Sequence, residues 1–134
     1  MSEAFEISTA LPADPARIYA AWLDSAQHSA MTGGAAEIDP RVEGTYSAWD
    51  GYITGVTLEL EPNHRIVQSW RTVEFPFDAP DSRLEIVFDV IDEGTKLTLK
   101  HSVIPDGQGD SYKSGWVDNY FEPMHRYFSQ GQST

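Results

Sequence analysis

The chain has 134 residues and no cysteine, and its 9 basic and 21 acidic side chains give a formal net charge of −12. A chain of this length forms one domain that buries roughly two-thirds of its unfolded surface, so its core needs no disulfide and no metal. The negative charge repels phosphate backbones and anionic lipids, which excludes nucleic acid and membrane surfaces as expected partners. Because "MSEAFEIS" lacks a secretion signal and no apolar run is long enough to span a bilayer, we expect a cytoplasmic monomer.

The first quarter of the chain predicts a strand followed by two helices. The segment "FEISTAL" alternates apolar and polar side chains, which is typical of a half-buried strand. Asp14 is a good N-cap ahead of Pro15, and Ile18 and Trp22 lie one turn apart on the inward face of the helix that follows. The segment "SAQHSAMT" predicts a second short helix that ends at Gly33.

Six further strands are predicted before residue 105, because short apolar segments there are separated by turn signals. Two of them form a hairpin across Asp92-Glu93-Gly94. A final helix of roughly eighteen residues follows the "PDGQGD" loop, with Asp110 or Ser111 as its N-cap. The side chains of the hairpin that should point inward are Leu84, Ile86, Phe88, Val90, Leu97, Leu99, His101 and Val103.

This order of elements predicts an α+β domain in which a curved sheet holds the last helix. A seven-stranded antiparallel sheet twists, and a strongly curled sheet wraps around a helix and can leave a hollow beside it. Gly44, Gly51 and Gly55 lie in or beside the strands, where glycine marks either a bend of the sheet or a turn between strands. We expect Gly44 and Gly51 to be turn residues.

The last helix is unusually aromatic. At helical spacing, Tyr112, Trp116, Tyr120, Pro123 and Tyr127 share one stripe, and an adjacent hydrocarbon stripe follows. Because phenols and indoles need polar partners when buried, the first stripe is expected to line a pocket and the second to pack on the sheet. The alternative is that the phenols reach the solvent boundary. Pro123 should also kink the helix near residues 119–123. The hydrocarbon stripe comprises Val117, Phe121, Met124 and Phe128.

Motifs for catalysis or metal binding are absent from the sequence. It contains no HExxH, GxSxG, GxxxxGK or GxGxxG pattern, and His28, His64 and His125 have no paired spacing. His101 occupies an inward position on its strand, where an imidazole orients a ligand, acts as an acid or base, or is a hydrogen-bonded core residue. Asp50, beside Gly51, is either a general base or a turn carboxylate. We therefore expect no metal, no cofactor and no assigned catalytic residue.

Three long segments resemble the activator of heat-shock-protein-90 ATPase homologue-like family. They are residues 44–71, the segment "PDSRLEIVFDVIDEGTKLTLKHSVIP" and the segment "YKSGWVDNYFEPMHRYF". This family belongs to the START-like, helix-grip superfamily (SRPBCC), which includes birch-pollen-type allergens and polyketide cyclases. The resemblance implies one START-like domain over residues 1–134, with a cavity between the sheet and the C-terminal helix. The features that carry the resemblance are Trp49-Asp50-Gly51, Glu61-Pro62, Trp70-Arg71, Gly94-Thr95 and Gly115-Trp116.

Three classes of function agree with these observations. The leading hypothesis is a noncatalytic binder of a small hydrophobic or amphipathic molecule, lipid or aromatic, in that cavity. The second is a protein-interaction role in the stress response on a heat-shock-protein-90 chaperone, which rests on the family resemblance. The third is a cyclase, dehydratase or hydrolase, which requires His101 and Asp50 to converge.

The hypothesis of a bound ligand predicts both a void and a set of contacts. We expect six inward residues to surround one enclosed void. They are Trp70, Phe88, Leu97, Leu99, His101 and Trp116. The residues expected to contact the ligand are Trp49, Trp70, Phe88, Leu99, His101, Tyr112, Trp116, Tyr120 and Met124.

Overall fold

The computed structural model describes residues 2–130. They form one antiparallel sheet of seven strands, two short helices after the first strand, and a long C-terminal helix. In chain order the elements are β1 (Ser2–Leu11), α1 (Pro15–Leu23), α2 (Ser25–Thr32), β2 (Glu37–Ile38), β3 (Thr45–Ala48), β4 (Ile53–Glu61), β5 (Arg65–Thr72), β6 (Ser82–Ile91), β7 (Gly94–Pro105), α3 (Gly109–Trp116), a π-helical turn (Val117–Phe121) and α4 (Glu122–Gln130).

The strand order is β1-β7-β6-β5-β4-β3-β2, so each strand from β2 to β7 pairs with its neighbours in sequence and β1 closes onto β7. This curved sheet around a long C-terminal helix is the helix-grip fold, and it confirms the fold class expected from the sequence. No helix among residues 2–130 is long and apolar enough to cross a membrane.

The predicted helix boundaries after β1 are confirmed. The Asp14 carboxylate accepts a hydrogen bond from the Arg17 N–H at 2.9 Å, and the Asp24 carboxylate does the same for Gln27 at 2.8 Å. Both acceptors satisfy backbone groups that a helix start leaves unpaired. Gly33, at φ 88°, ends α2 in the left-handed conformation that glycine adopts without strain.

Two of the residues predicted to point inward from the β6–β7 hairpin are exposed instead. Val90 is 80% exposed, close to the turn of the hairpin, and Val103 is 41% exposed. Val103 has a positive φ of 60°, and it lies where the β1–β7 register shifts by one residue. This β-bulge breaks the alternation of β7, so Ile104 is fully buried in place of Val103.

The last helix begins at Gly109, and the prediction of Asp110 or Ser111 as its side-chain cap is wrong. Its N-cap residue, Gln108, makes no capping hydrogen bond with its side chain. The Glu3 carboxylate on β1 instead accepts the N–H groups of Gly107 and Gly109, at 2.9 and 2.8 Å. These two hydrogen bonds, that of Gly107 first, lower the pKa of Glu3.

The π-helical turn changes the face that the last helix presents to the sheet. A π turn contains one more residue than an α turn, so side chains beyond it are rotated from the positions that regular spacing predicts. Val117 is 39% exposed, whereas Phe121, the next residue of its stripe, is buried. The two predicted stripes adjoin on one buried face: Tyr112, Trp116 and Tyr120 of the first border the cavity described below, and the second, without Val117, packs in the core. That face consists of Tyr112, Trp116, Tyr120, Phe121, Met124 and Phe128.

The π turn directly precedes Pro123. Proline has no N–H to donate to the Asn119 carbonyl, and the described hydrogen bond at this point runs from the Glu122 N–H to the Val117 carbonyl. The disturbance expected near residues 119–123 therefore takes the form of a π turn. Gly44 and Gly51 lie in turns, as expected, and Gly55 lies inside β4, where a Cβ would approach the Ser69 carbonyl oxygen at 2.0 Å.

Candidate ligand cavity between the sheet and the last helix

A cavity of about 400 Å³ lies between the β3–β4 hairpin, β5 and the first part of the last helix. Its volume falls in the range of about 300–1,000 Å³ typical of small-molecule sites. The exposed side chains of Ser111 and Asn119 form its mouth on the helix side. The lining residues are Trp49, Tyr52, Ile53, Trp70, Ser111, Tyr112, Gly115, Trp116, Asn119 and Tyr120.

Trp70 is the centre of the aromatic wall. Its ring lies 4.9 Å from the ring of Tyr112 and 5.7 Å from that of Trp116, measured between centroids. Trp116 in turn lies 4.7 Å from Tyr120. Contacts at these distances and at steep angles are favourable beyond the apolar area they bury, so they hold the rings in fixed positions.

Trp49 lines the cavity from a turn in which it adopts a left-handed backbone conformation that is unfavourable for tryptophan. Trp49 and Asp50 both have positive φ, 53° and 59°, and a left-handed residue other than glycine costs roughly 1–2 kcal/mol. Tertiary contacts hold this turn. The Asp50 N–H donates to the Ala35 carbonyl at 3.0 Å, and the Trp49 ring lies so close to Gly34 that a Cβ there would be 2.5 Å from a ring carbon.

Two tyrosines form the polar rim of the cavity. The Tyr52 hydroxyl donates a hydrogen bond to the Glu74 carboxylate, and burial followed by this hydrogen bond raises the pKa of Tyr52 to about 12. The Tyr112 hydroxyl donates to Gln108 at 2.5 Å and lies 2.7 Å from the Thr72 hydroxyl. Burial, together with the charge of Glu74, raises the pKa of Tyr112 as well.

Behind the wall, Tyr120 is bound to a buried histidine on α2. His28 Nδ1 lies 2.8 Å from the Trp22 carbonyl oxygen, which can only accept, so Nδ1 carries the proton. His28 Nε2 therefore accepts the Tyr120 hydroxyl, at 2.9 Å. Burial lowers the pKa of His28 and raises that of Tyr120, so both groups are neutral at pH 7.

His101 is part of the core, and both of its ring nitrogens are engaged. The Trp116 indole N–H donates to Nδ1 at 3.1 Å, so Nε2 carries the proton and donates to the Ser82 hydroxyl at 2.8 Å. Ser82 then donates to the Trp70 carbonyl. Burial lowers the pKa of His101 to about 3. Asp50 is exposed on its turn and makes no described hydrogen bond to His101, so the pair that the enzyme hypothesis requires is not formed.

The structure brings five of the nine expected ligand residues together at the cavity. Trp49, Trp70, Tyr112, Trp116 and Tyr120 line it. The other four are packed in the core and do not line it: Phe88, Leu99, His101 and Met124 are at most 2% exposed.

The expected enclosed void does not coincide with this cavity. Of the six residues expected around the void, Trp70 and Trp116 border the cavity, which opens at its mouth, whereas Leu97 is fully buried in the core with Phe88, Leu99 and His101. The β3–β4 hairpin supplies the remaining walls.

Sequence reasoning missed half of the lining residues and the role of His28. Ser111, Gly115 and Asn119 recur every four residues beside the aromatic stripe, and this spacing was the available signal. Tyr52 and Ile53 carried no such signal, because they follow a turn in which Trp49 and Asp50 are left-handed in addition to Gly51. His28 was missed because its partner, Tyr120, is 92 residues away in sequence. Among residues 2–130, no group of three or more His, Asp or Glu side chains is placed to hold a metal ion.

Comparison with known proteins assigns residues 12–129 to the family profile described as Activator of Hsp90 ATPase homolog 1-like protein. An uncharacterized protein of Schizosaccharomyces pombe is 30% identical over 114 residues, which are 85% of this chain and 34% of that protein. The human Activator of 90 kDa heat shock protein ATPase homolog 1 is 24% identical over 117 residues, 87% of this chain and 34% of the relative. The chain thus spans about a third of the length of these curated relatives.

Solved structures with the same fold include an HSP90 activator from Plasmodium falciparum. It matches with a TM-score of 0.86 and 27% identity, over 94% of this chain and 96% of that one. CalU16 from Micromonospora echinospora matches with a TM-score of 0.75 and 21% identity, over 98% of this chain and 78% of that one, which shows a common fold. The START-like, helix-grip architecture expected from the sequence is confirmed.

Proposed function

Because the chain belongs to the family of Activator of Hsp90 ATPase homolog 1-like proteins, we propose that it binds a small hydrophobic or amphipathic molecule in the cavity described above, without transforming it. The family and fold support a ligand-binding or co-chaperone-like role. The observation that carries the finer proposal is the cavity of about 400 Å³, which six aromatic side chains line and whose mouth is polar. A few polar groups around apolar walls are typical of small-molecule sites.

The chemistry of the walls supports binding rather than catalysis. The hydroxyl groups of Tyr52, Tyr112 and Tyr120 are each hydrogen-bonded within the protein. Their pKa values are all raised, so none of them is ionised at pH 7 to act as a base. The cavity offers shape, aromatic surface and a few uncharged polar groups, which suit a noncovalent ligand.

Gly115 offers a direct test of the proposal. It lines the cavity, and a Cβ added there would meet the Asn119 side-chain nitrogen at 3.7 Å, an ordinary contact. A leucine at this position would therefore project into the cavity without distorting the helix. We expect Gly115→Leu to abolish binding of N-phenyl-1-naphthylamine, a neutral fluorescent probe, while the melting temperature stays the same or rises.

The matched control is Ser114→Leu. It adds the same side chain one position earlier on the helix, where the residue is exposed and does not line the cavity. We expect Ser114→Leu to bind the probe like the unchanged protein. Equal binding by both variants would overturn the proposal. Native mass spectrometry of the protein purified from its own host would then identify any retained molecule.

A chaperone-directed role is the second candidate, and one comparison favours it. The HSP90 activator from Plasmodium falciparum matches over 96% of its own chain, so a domain of this size carries that description in a relative. The test is stimulation of the host heat-shock-protein-90 ATPase by the unchanged protein and by Gly115→Leu. Equal stimulation by both would assign the chaperone role to a surface outside the cavity, and no stimulation by either would remove this candidate.

A further inference from the structure

We propose that the cavity selects a small organic cation, an alkylated or aromatic ammonium, over neutral and anionic molecules of the same shape. This inference rests on the proposed function, because it names the class of ligand for the same site. Three features carry it: the arrangement of the rings, the carboxylate beside the rim, and the lack of positive charge in and behind the walls.

The rings of the wall meet at an angle instead of stacking face to face. Trp70 meets Tyr112 at 78°, and Trp116 meets Tyr120 at 50°, so neither pair is stacked face to face. Trp49 and Tyr52 border the same space from the opposite hairpin. The face of an aromatic ring carries negative electrostatic potential, and several faces around one space form the cage that binds quaternary ammonium groups.

The Glu74 carboxylate is exposed beside the rim residue Tyr52 and does not itself line the cavity. Glu74 accepts the Tyr52 hydroxyl, and after burial, the largest cause, its charge contributes to the raised pKa values of Tyr52 and Tyr112. Within residues 2–130, no basic side chain forms an ion pair with Glu74. The carboxylate is therefore available to stabilise a positive ligand.

Positive charge is missing from the walls and from the residues behind them. None of the ten lining residues is Lys, Arg or His. His28 and His101, behind the walls, are buried and neutral. Arg71, next to Trp70 in sequence, is paired with Asp81 at 2.7 Å, and Lys113 is exposed and does not line the cavity. A carboxylate ligand would therefore meet Glu74 and no compensating cation.

The experiment compares two probes of the same shape. Phenyltrimethylammonium and tert-butylbenzene differ by the replacement of a quaternary carbon with a positive nitrogen. Titration calorimetry, with tryptophan fluorescence as a second readout, measures their affinities for the full chain at low and high salt. We expect the cation to bind about tenfold more tightly, although the neutral probe is the more hydrophobic of the two.

Two variants separate the inference from its alternatives. We expect Glu74→Gln, which can still accept the Tyr52 hydroxyl, to reduce cation affinity several-fold and leave the neutral probe unaffected. Glu93→Gln, in the exposed β6–β7 turn, removes the same charge elsewhere and should change neither affinity.

Each contrary outcome has a distinct meaning. If tert-butylbenzene binds as tightly as the cation and Gly115→Leu abolishes both, the inference is wrong and the proposed function stands. If the cation still binds to Gly115→Leu, it binds to the acidic surface outside the cavity, and the inference is wrong. If neither probe binds to the unchanged protein, the inference is wrong, and the binding of N-phenyl-1-naphthylamine then decides the proposed function separately.

Discussion

The β6–β7 hairpin and the β3–β4 hairpin differ in what they present to the interior, because one contributes fully buried core residues and the other borders a cavity. In the β6–β7 hairpin, Leu84, Ile86, Leu97 and Leu99 are fully buried, in the same core cluster as Trp116 of the last helix. The β3–β4 hairpin is shorter on one side and turns through Trp49, with its rings at the edge of the sheet. Branched aliphatic side chains thus dominate the core side of the helix, whereas aromatic side chains dominate the walls of the cavity.

This difference predicts that the two regions affect different properties of the protein. A substitution in the β6–β7 hairpin should change the free energy of unfolding, and one in the cavity wall should mainly change affinity, except where the side chain is also hydrogen-bonded to the core, as that of Tyr120 is. Four measurements test this prediction, beginning with the largest expected effect.

Phe88→Ala should destabilise the protein by about 3–5 kcal/mol, because the ring is 2% exposed and its removal leaves a void. The measurement is the free energy of unfolding from urea titration. Val90→Ala is the control on the same strand, since Val90 is 80% exposed and its loss should cost under about 0.5 kcal/mol. If Phe88→Ala bound the probe less tightly but kept its stability, Phe88 would contact the ligand, as the sequence predicted.

Tyr120→Phe should destabilise the protein by about 1–3 kcal/mol, because it leaves the buried Nε2 of His28 without its donor. Regular helical spacing alone would place this hydroxyl in the pocket, where its removal would destabilise the protein less. Tyr127→Phe is the control, because its hydroxyl lies 3.5 Å from Gln27 and is partly buried. Equal thermal melts for Tyr120→Phe and the unchanged protein would contradict the assigned hydrogen bond.

Acid should destabilise the protein through its buried histidines. Because burial lowers the pKa of His101 to about 3, the unfolded state binds more protons than the folded state between that value and the ordinary pKa of about 6.5. Stability from this residue is therefore fully present above about pH 6.5 and falls as the pH decreases, by about 2 kcal/mol at pH 5. His101→Gln should show a smaller loss between pH 7 and pH 5 in urea titrations. An identical loss in both proteins would show that His101 does not contribute to it.

Gly115→Ala should stabilise the protein by about 1 kcal/mol, because alanine is the better helix former and its methyl group meets no close neighbour. Gly33→Ala is the contrasting variant. It places a side chain at φ 88°, so it should lower the melting temperature. A decrease in the melting temperature of Gly115→Ala would show that this part of the helix is more tightly packed than the cavity implies.

The sequence was sufficient for the fold because local patterns determined most of its elements. The Asp14 cap, the Gly33 stop and the turn at Asp92-Glu93-Gly94 each depend on residues within a few positions of one another. The family resemblance agreed with this order of elements.

The remaining features depend on contacts distant in sequence, which local patterns do not report. Glu3 caps a helix that begins more than one hundred residues later in sequence. His28 is hydrogen-bonded to Tyr120, although strands β2 to β7 lie between them in sequence. The π turn and the bulge at Val103 each shift the side-chain pattern by one residue. Spacing therefore indicated the cavity and half of its walls, and it placed Phe88 and Leu99 at the ligand when they belong to the core.

The pairing of β1 with β7 affects how the protein is made. Ser2 lies opposite Pro105 in the sheet, so β1 leaves the ribosome long before its only described neighbouring strand exists. At a synthesis rate of about 5–20 residues per second, β1 remains without its partner for roughly 5–20 s. Exposed strands of this kind are prone to pair with other chains, and the charged Glu3 and Glu6 oppose such pairing during that interval. The Glu3 carboxylate, which caps the last helix in the folded protein, thus also opposes pairing of β1 with other chains during synthesis.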